Sequence, residues 1–319
     1  MATSLSSFFS LPWAAHLRSP KLAATAATLV ALAIGLSAPA LARSYRGYLA
    51  LGPGGMPYNV VGWAIQGALQ LVARRDTRDP APFADPRNQG PYEPHGRTSF
   101  LGLSLGSGPE GERGPAVPQR GGDRPVVPGY VAPQRQATQQ GGEATRERMA
   151  AFLGRLAARN PGLLALRPSG LEGAGTPALW LDVGDSQSQS HSHGHGHSHD
   201  GNGNGDSDSD GGSGRGIVEV PGYLRGTRGE IAHVHPEASS HVTVSMADAG
   251  ALVLAGWAER HMLGGSRVGG VPWGYVLVYA PRDEAELEVW RAVVVAGARF
   301  VCAASGREVA VPDTEEGDE

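Results

Sequence analysis

Glu230-Ile-Ala-His-Val-His-Pro-Glu-Ala-Ser-Ser-His-Val-Thr-Val-Ser245 sets two runs of β-branched and apolar residues around a short polar connection. Side chains alternate along a strand, so Glu230–His235 and His241–Ser245 are predicted to be two strands of a hairpin. With Pro236–Ser240 as a five-residue loop, His235 faces His241 and His233 faces Thr243. Ala232, Val234, Val242 and Val244 then share the apolar face, and Ile231, His233, His235, His241 and Thr243 share the other. Downstream, Met246–Trp257 is predicted to be a helix, with Ser245 and Asp248 placed as a capping box. Gly274–Ala280 follows as an apolar strand, and Asp283–Cys302 as a helix capped by Asp283, with Leu287, Trp290, Val294 and Val301 as its buried stripe. Upstream, Met149, Phe152, Leu153 and Leu156 put one apolar face on a helix over Glu143–Arg159, stopped by Pro161. Ala178–Val183 is a further strand. Strands and helices without regular β-α-β alternation specify an α+β two-layer domain, a small, mostly antiparallel sheet packed by helices, over residues 143–305.

The histidine-bearing face is the first candidate for chemistry. Imidazoles titrate near neutral pH and ligate transition metals. His233, His235 and His241 are therefore candidate catalytic residues, with Glu259 and His261 of Gly256-Trp-Ala-Glu-Arg-His261 as companions, and Glu230 as a further partner. A hydrogen-bonded polar face under a loop would use the same three imidazoles structurally. His233-Val-His235 lacks the carboxylate spacing of a cupin metal motif, because Glu237 follows His235 by only two residues. Trp257–His261 reads equally as a salt-bridged helix end. Cys302, the single cysteine, excludes an intrachain disulfide and lies near the end of an apolar helix, as a buried structural thiol does.

The rest of the chain is organised very differently. Its 319 residues include 47 glycines, about twice the usual ~7%. Residues 185–215 hold only Ser, Gln, His, Gly, Asn, Asp and Arg; such a tract has no apolar area to bury and is expected to be a disordered insert. Within it His191, His193, His195, His197 and His199 alternate, a pattern with affinity for Zn²⁺, Ni²⁺ or Cu²⁺. Residues 43–142 read as a juxtamembrane region and Pro/Gly-rich linker, and 306–319 as an acidic tail. Residues 1–21 form an N-terminal flank. Leu22–Leu41, within segment 22–42, has no charge and is long enough for a bilayer core. A single-pass membrane anchor, a cleaved signal peptide ending at Ala40-Leu-Ala42 (a secreted product) and a mitochondrial presequence all fit it. A net charge of −4 argues against a nucleic-acid partner.

Several stretches together resemble the luciferase domain found in fungal and bacterial proteins. They are Gly229-Glu-Ile-Ala-His-Val-His-Pro236, Ser240-His-Val-Thr-Val-Ser-Met-Ala-Asp-Ala249, Gly256-Trp-Ala-Glu-Arg-His261 and Val278-Tyr-Ala-Pro-Arg-Asp-Glu-Ala-Glu-Leu287. The match covers about residues 217–302. A looser likeness to fungal, membrane-associated members includes Tyr48-Leu-Ala-Leu-Gly-Pro-Gly-Gly55 and Val131-Ala-Pro-Gln-Arg-Gln136. Ala258 and Met262 stand where Gly and Pro are common in the family. The resemblance brings no assigned catalytic residue or cofactor with it. No P-loop, Rossmann fingerprint or Gly-x-Ser-x-Gly elbow is present, so cofactor and small-molecule ligand stay unnamed. Two functions fit: a membrane-anchored binding or scaffold domain, or an enzyme, metal-dependent or oxidative, using the histidine-lined 230–261 region.

Overall fold

The computed structural model describes residues 20–104, 117–183, 220–266 and 270–313. The insert 185–215, with His191, His193, His195, His197 and His199, lies outside the described residues, as do 314–319 of the tail. The chain divides into two units, Met1–Gly52 and Pro53–Glu319.

In the first unit, helix α1 spans Pro20–Ala50 and carries Pro39 inside it. Thr28 Oγ1 donates to Ala24 O at 2.9 Å, turning its hydroxyl onto the helix backbone. Among the described residues no helix is long and apolar enough to cross a membrane; many side chains of the Leu22–Leu41 run, the expected membrane span, lie outside the described residues. The run holds eight alanines, five leucines and two threonines, with Gly35, Ser37 and Pro39, and α1 continues past it through Arg43 and Arg46.

The second unit is built on a six-stranded antiparallel sheet. Its strands are β1 (Leu164–Ser169), β2 (Gly173–Leu181), β3 (Glu230–Val234), β4 (Ser240–Thr243), β5 (Ala258–Arg260) and β6 (Tyr275–Val278). Their order across the sheet is β1-β2-β3-β4-β6-β5. The helices, in chain order, are α2 (Val60–Leu69), α3 (Ala81–Ala84), α4 (Pro86–Gln89), α5 (Leu101–Ser104), α6 (Glu143–Arg159), α7 (Met246–Leu254) and α8 (Glu284–Cys302). The α+β class is as the sequence predicts.

α8 is the central packing element. Asp283 caps it by accepting the Glu286 N–H at 2.9 Å. Its Trp290 meets Phe152 of α6 edge-on, with centroids 5.9 Å apart, and donates from Nε1 to Ser240 Oγ of β4 at 2.8 Å. Gly297 lets the helix backbone close on the sheet: a Cβ there would lie 2.7 Å from Thr243 O and 3.0 Å from Val242 Cγ1. Ala232, Val234, Val242, Val276 and Val278 join α8 in one apolar core. Burial pushes the Cys302 thiol up to about 12, so it stays protonated in this core.

α7 is held from both sides of its first turn. Ser245 Oγ accepts the Asp248 N–H at 3.1 Å. The Asp248 carboxylate does not complete the capping box; it accepts Ser99 Oγ at 2.6 Å and the Phe100 N–H at 3.0 Å. Instead of running on to Trp257, α7 stops at Leu254. The chain turns at Gly256, where φ is +85°, and enters β5. Ala258-Glu259-Arg260 is thus strand and not a helix end.

The described residues between 53 and 142 differ from the linker expected of them. Phe83, Tyr92, Phe100, Leu101 and Val117 are buried in the main core, and Val131, Gln134, Arg135 and Gln136 are buried too. These residues have few regular hydrogen bonds of their own, which is why their composition reads as linker. Side chains anchor them instead: Arg260 pairs with Asp76 at 2.7 Å, and Gln136 Oε1 accepts the Ala280 N–H at 2.8 Å.

Candidate active site

The β3–β4 connection is tighter than the sequence reading assumed. His235 N donates to Ser239 O at 2.8 Å, and His233 pairs with His241, Ala232 with Val242 and Val234 with Ser240. The turn is Pro236-Glu237-Ala238, with Ala238 at φ +64°. Relative to the five-residue loop, the register moves by two. An even shift preserves side-chain faces, so His233, His235 and His241 still share one face. Ile231 does not join them. The β2–β3 ladder shifts register between Leu179 and Trp180, which pairs Trp180 with Glu230. This irregularity turns Ile231 to the α8 side, where its Cγ2 would lie 3.6 Å from a Cβ on Gly297, and brings the Glu230 carboxylate beneath His233.

All three imidazoles are buried. A polar cluster, not an exposed face, occupies the side of the sheet away from α8. The ring centroids lie 5.0 Å apart for His233–His235, 5.3 Å for His233–His241 and 4.8 Å for His235–His241. His233 Nε2 is 3.2 Å from His235 Nε2 and 3.4 Å from His241 Nδ1. Among the described residues these three offer donor atoms, one per ring, that lie within 4.8 Å of one another and could share a metal ion.

The surrounding groups fix the ring protons. Glu230 accepts from Ser169 Oγ at 2.7 Å and Gly170 N at 2.9 Å, and its Oε1 lies 2.6 Å from His233 Nδ1. A carboxylate only accepts, so His233 Nδ1 carries the hydrogen. Ser239 Oγ donates to Glu237 Oε1 at 2.5 Å and lies 2.8 Å from His235 Nδ1, so it accepts from that nitrogen. Gln134 Nε2 donates to Glu259 Oε1 and Arg260 O, which turns its Oε1 toward His241 Nε2 at 3.4 Å as the acceptor. The lone pairs left over are His233 Nε2, His235 Nε2 and His241 Nδ1.

Charged groups close the cluster. Glu172, on the β1–β2 connection, places Oε1 4.0 Å from His235 Nε2 and pairs with Arg135. Arg135 also donates to Pro53 O at 2.7 Å and lies 3.9 Å from Glu237. Burial works against the Glu172 charge, but its surroundings, the Arg135 guanidinium among them, outweigh it and hold the carboxyl below its ordinary range. Glu237 is also lowered: burial opposes, and hydrogen bonds from His235 Nδ1 and the Ser239 hydroxyl prevail. Burial, then His235, His233, His261 and Arg135, hold His241 well below the usual imidazole range, so it is neutral. Its ring stacks on Tyr275 at 4.7 Å.

The two remaining sequence candidates stand apart from the convergence point. His261 is 5.3 Å from His241 by ring centroid, and its Nδ1 accepts the Leu263 N–H at 3.1 Å. Burial first, against a backbone hydrogen bond at Val131, lowers it to about 4. Glu259 occupies the same sheet row as His241, both paired with Leu277, but binds Arg78 Nε at 2.9 Å and the Tyr279 hydroxyl at 3.1 Å. It reaches the cluster only through Gln134. Glu172, Gln134, Arg135 and Ser239 were missed as site residues; Val131–Gln136 did carry a signal, since it belongs to the looser family likeness.

Fold and site together define an α+β protein with an interior imidazole–carboxylate centre on the sheet face opposite its helical core. Residues 228–297 match the family model described as luciferase domain. The chain is similar to a luciferase of Armillaria ostoyae, 27% identical over 288 residues, 87% of this chain and 88% of that protein. A luciferase of Neonothopanus nambi is 27% identical over 279 residues, 85% of each chain. One of Armillaria gallica is 35% identical over 80 residues, 24% of this chain and 30% of that protein. No solved structure matches.

Proposed function

We propose that the protein is an enzyme that oxidises a small organic molecule at the His233–His235–His241 centre, in the manner of a luciferase. The observation that carries this reading is the convergence of three buried ring nitrogens on one spot, each ring held by a separate hydrogen bond at its other nitrogen. Burying so many polar groups is unfavourable beside an apolar packing of the same volume. Perturbed, partnered titratable groups of this kind are concentrated where chemistry is done. Similarity to fungal luciferases over most of the chain supports the same reading. The described part of the expected linker packs into the domain that holds the centre, which weighs against a tethered scaffold.

In this reading the imidazoles meet the reacting molecule or its cofactor, and Glu230, Ser239 and Gln134 orient them. Glu172 and Glu237 supply negative charge balanced in part by Arg135. The test uses purified full-length protein and luciferin extracted from Armillaria mycelium, with light emission and oxygen uptake both recorded. The wild type is expected to show turnover, and His235→Asn and His241→Asn to lose it while keeping the native circular dichroism. Turnover unchanged in both variants, or absent from the wild type by both readouts, overturns the proposal.

A further inference from the structure

We infer that His233 Nε2, His235 Nε2 and His241 Nδ1 are the ligands of a single first-row divalent transition-metal ion, with the Glu172 carboxylate as the adjacent anionic donor. The inference deepens the preceding one by giving the centre its cofactor class, and it rests on that reading only for the metal's use in a reaction.

Geometry is the first argument. A metal held by imidazole at ~2.0–2.1 Å in a tetrahedral site places its ligand nitrogens about 3.3–3.4 Å apart. The contacts from His233 Nε2 are 3.2 Å and 3.4 Å. A single N–H···N hydrogen bond between rings would account for one of these contacts but not for both on one nitrogen, and all three donor atoms lie within 4.8 Å of one another.

The second argument is the proton count. With Nδ1–H of His233 donated to Glu230, Nδ1–H of His235 to Ser239 and Nε2–H of His241 to Gln134, three lone pairs face one another with no donor between them. One shared proton could bridge one pair and would leave the third lone pair unmatched. A metal ion satisfies all three. The outer partners are the ones that metal-bound histidines use: a carboxylate, a hydroxyl backed by a carboxylate, and an amide oxygen, each fixing ring orientation and tautomer.

Charge is the third. Glu230, Glu172 and Glu237 contact the imidazoles at 2.6 Å, 4.0 Å and 3.5 Å, and Arg135 is the cation paired with Glu172 and near Glu237. With neutral imidazoles the cluster carries a net negative charge that a divalent cation cancels. The donors are imidazole and carboxylate without thiolate, a set that suits Zn²⁺, Co²⁺, Fe²⁺, Ni²⁺ or Cu²⁺ over Mg²⁺ or Ca²⁺.

The experiment must separate this site from the alternating histidines of the insert. The full-length chain carrying His191→Asn, His193→Asn, His195→Asn, His197→Asn and His199→Asn is expressed in cobalt-supplemented medium, dialysed, and examined by elemental analysis and visible absorption. The expected result is one transition-metal ion per chain, with Co²⁺ bands in the visible. His235→Asn and, as a second variant should that one not fold, His241→Gln are expected to lose the metal. Glu172→Gln is expected to keep it but shift the bands. A chain that folds natively and carries no transition metal, or retains one equivalent with unchanged bands in the histidine variants, overturns the metal. If that happens while His235→Asn still abolishes turnover, the enzymatic reading stands without it. Metal bound normally with turnover indifferent to His235→Asn refutes the enzymatic reading alone.

Discussion

His233 Nε2 and His235 Nε2 lie 3.2 Å apart, and the opposite nitrogen of each ring is already committed, to Glu230 and to Ser239. Two acceptors therefore face each other in the interior of the sheet. That contact is unfavourable unless something positive lies between them, and the third lone pair, on His241 Nδ1 at 3.4 Å, makes the something polyvalent.

Glu230→Ala is expected to weaken metal retention by about 10–100-fold, the usual effect of removing an orienting partner of a ligand. It also strips the acceptor from Ser169 Oγ and Gly170 N, so a loss of about 1–3 kcal/mol in stability should accompany it. Competition against a calibrated chelator measures the first effect, and urea unfolding the second. Retention equal to wild type at reduced stability would show Glu230 to be structural only.

Gly297→Ala should destabilise by about 1–3 kcal/mol, because its Cβ would sit 2.7 Å from Thr243 O and force α8 off the sheet. Urea midpoints test this. An unchanged midpoint would mean that the helix–sheet spacing is looser than described.

Asp248→Ala removes the acceptor for Ser99 Oγ and the Phe100 N–H, with Leu101 N–H a further 3.4 Å contact. Each buried donor left unpaired costs about 1–3 kcal/mol. Hydrogen exchange should rise at Phe100 and Leu101 and stay low in α8, since the lost contacts are local to α5 and α7.

Glu286 gives the fold an acid-sensitive element. Burial alone would raise its pKa, but the Arg282 side chain and N–H, with Arg120, outweigh it and hold the carboxyl below its ordinary 4.5. A lowered folded-state value means that this contribution is present above 4.5 and is lost as pH falls below it through the folded value. Glu286→Gln should therefore lower Tm near neutral pH and flatten its decline below about pH 4.5. Parallel curves for variant and wild type would rule out the contribution.

Much of this was legible in the residues themselves. The caps at Asp283 and Ser245 and the apolar stripes of α6 and α8 follow from local chemistry, and they emerge where periodicity places them. The common face of the three histidines survived an error of two in register because strand faces repeat every two residues. Other features depend on contacts distant in sequence. Arg135 is buried by Glu172 and Pro53, contacts that the Pro/Gly-rich composition around Val131–Gln136 does not announce. The three-residue β5 is too short for periodicity to separate from the end of α7. Ile231 lies on the helical side only because the β2–β3 ladder is irregular opposite Trp180. Glu259 and His261 looked like site residues because they are polar and close in sequence to Trp257. Packing gives Glu259 to Arg78 and Tyr279, and gives His261 to the Leu263 amide.

The most direct measurement is an anomalous-difference map from crystals of the metal-replete protein, collected above and below the absorption edge of the metal found by elemental analysis. The account requires one strong peak at about 2.0–2.1 Å from each of His233 Nε2, His235 Nε2 and His241 Nδ1. A map without density between the three rings, in protein shown to contain a full equivalent of metal, would contradict it.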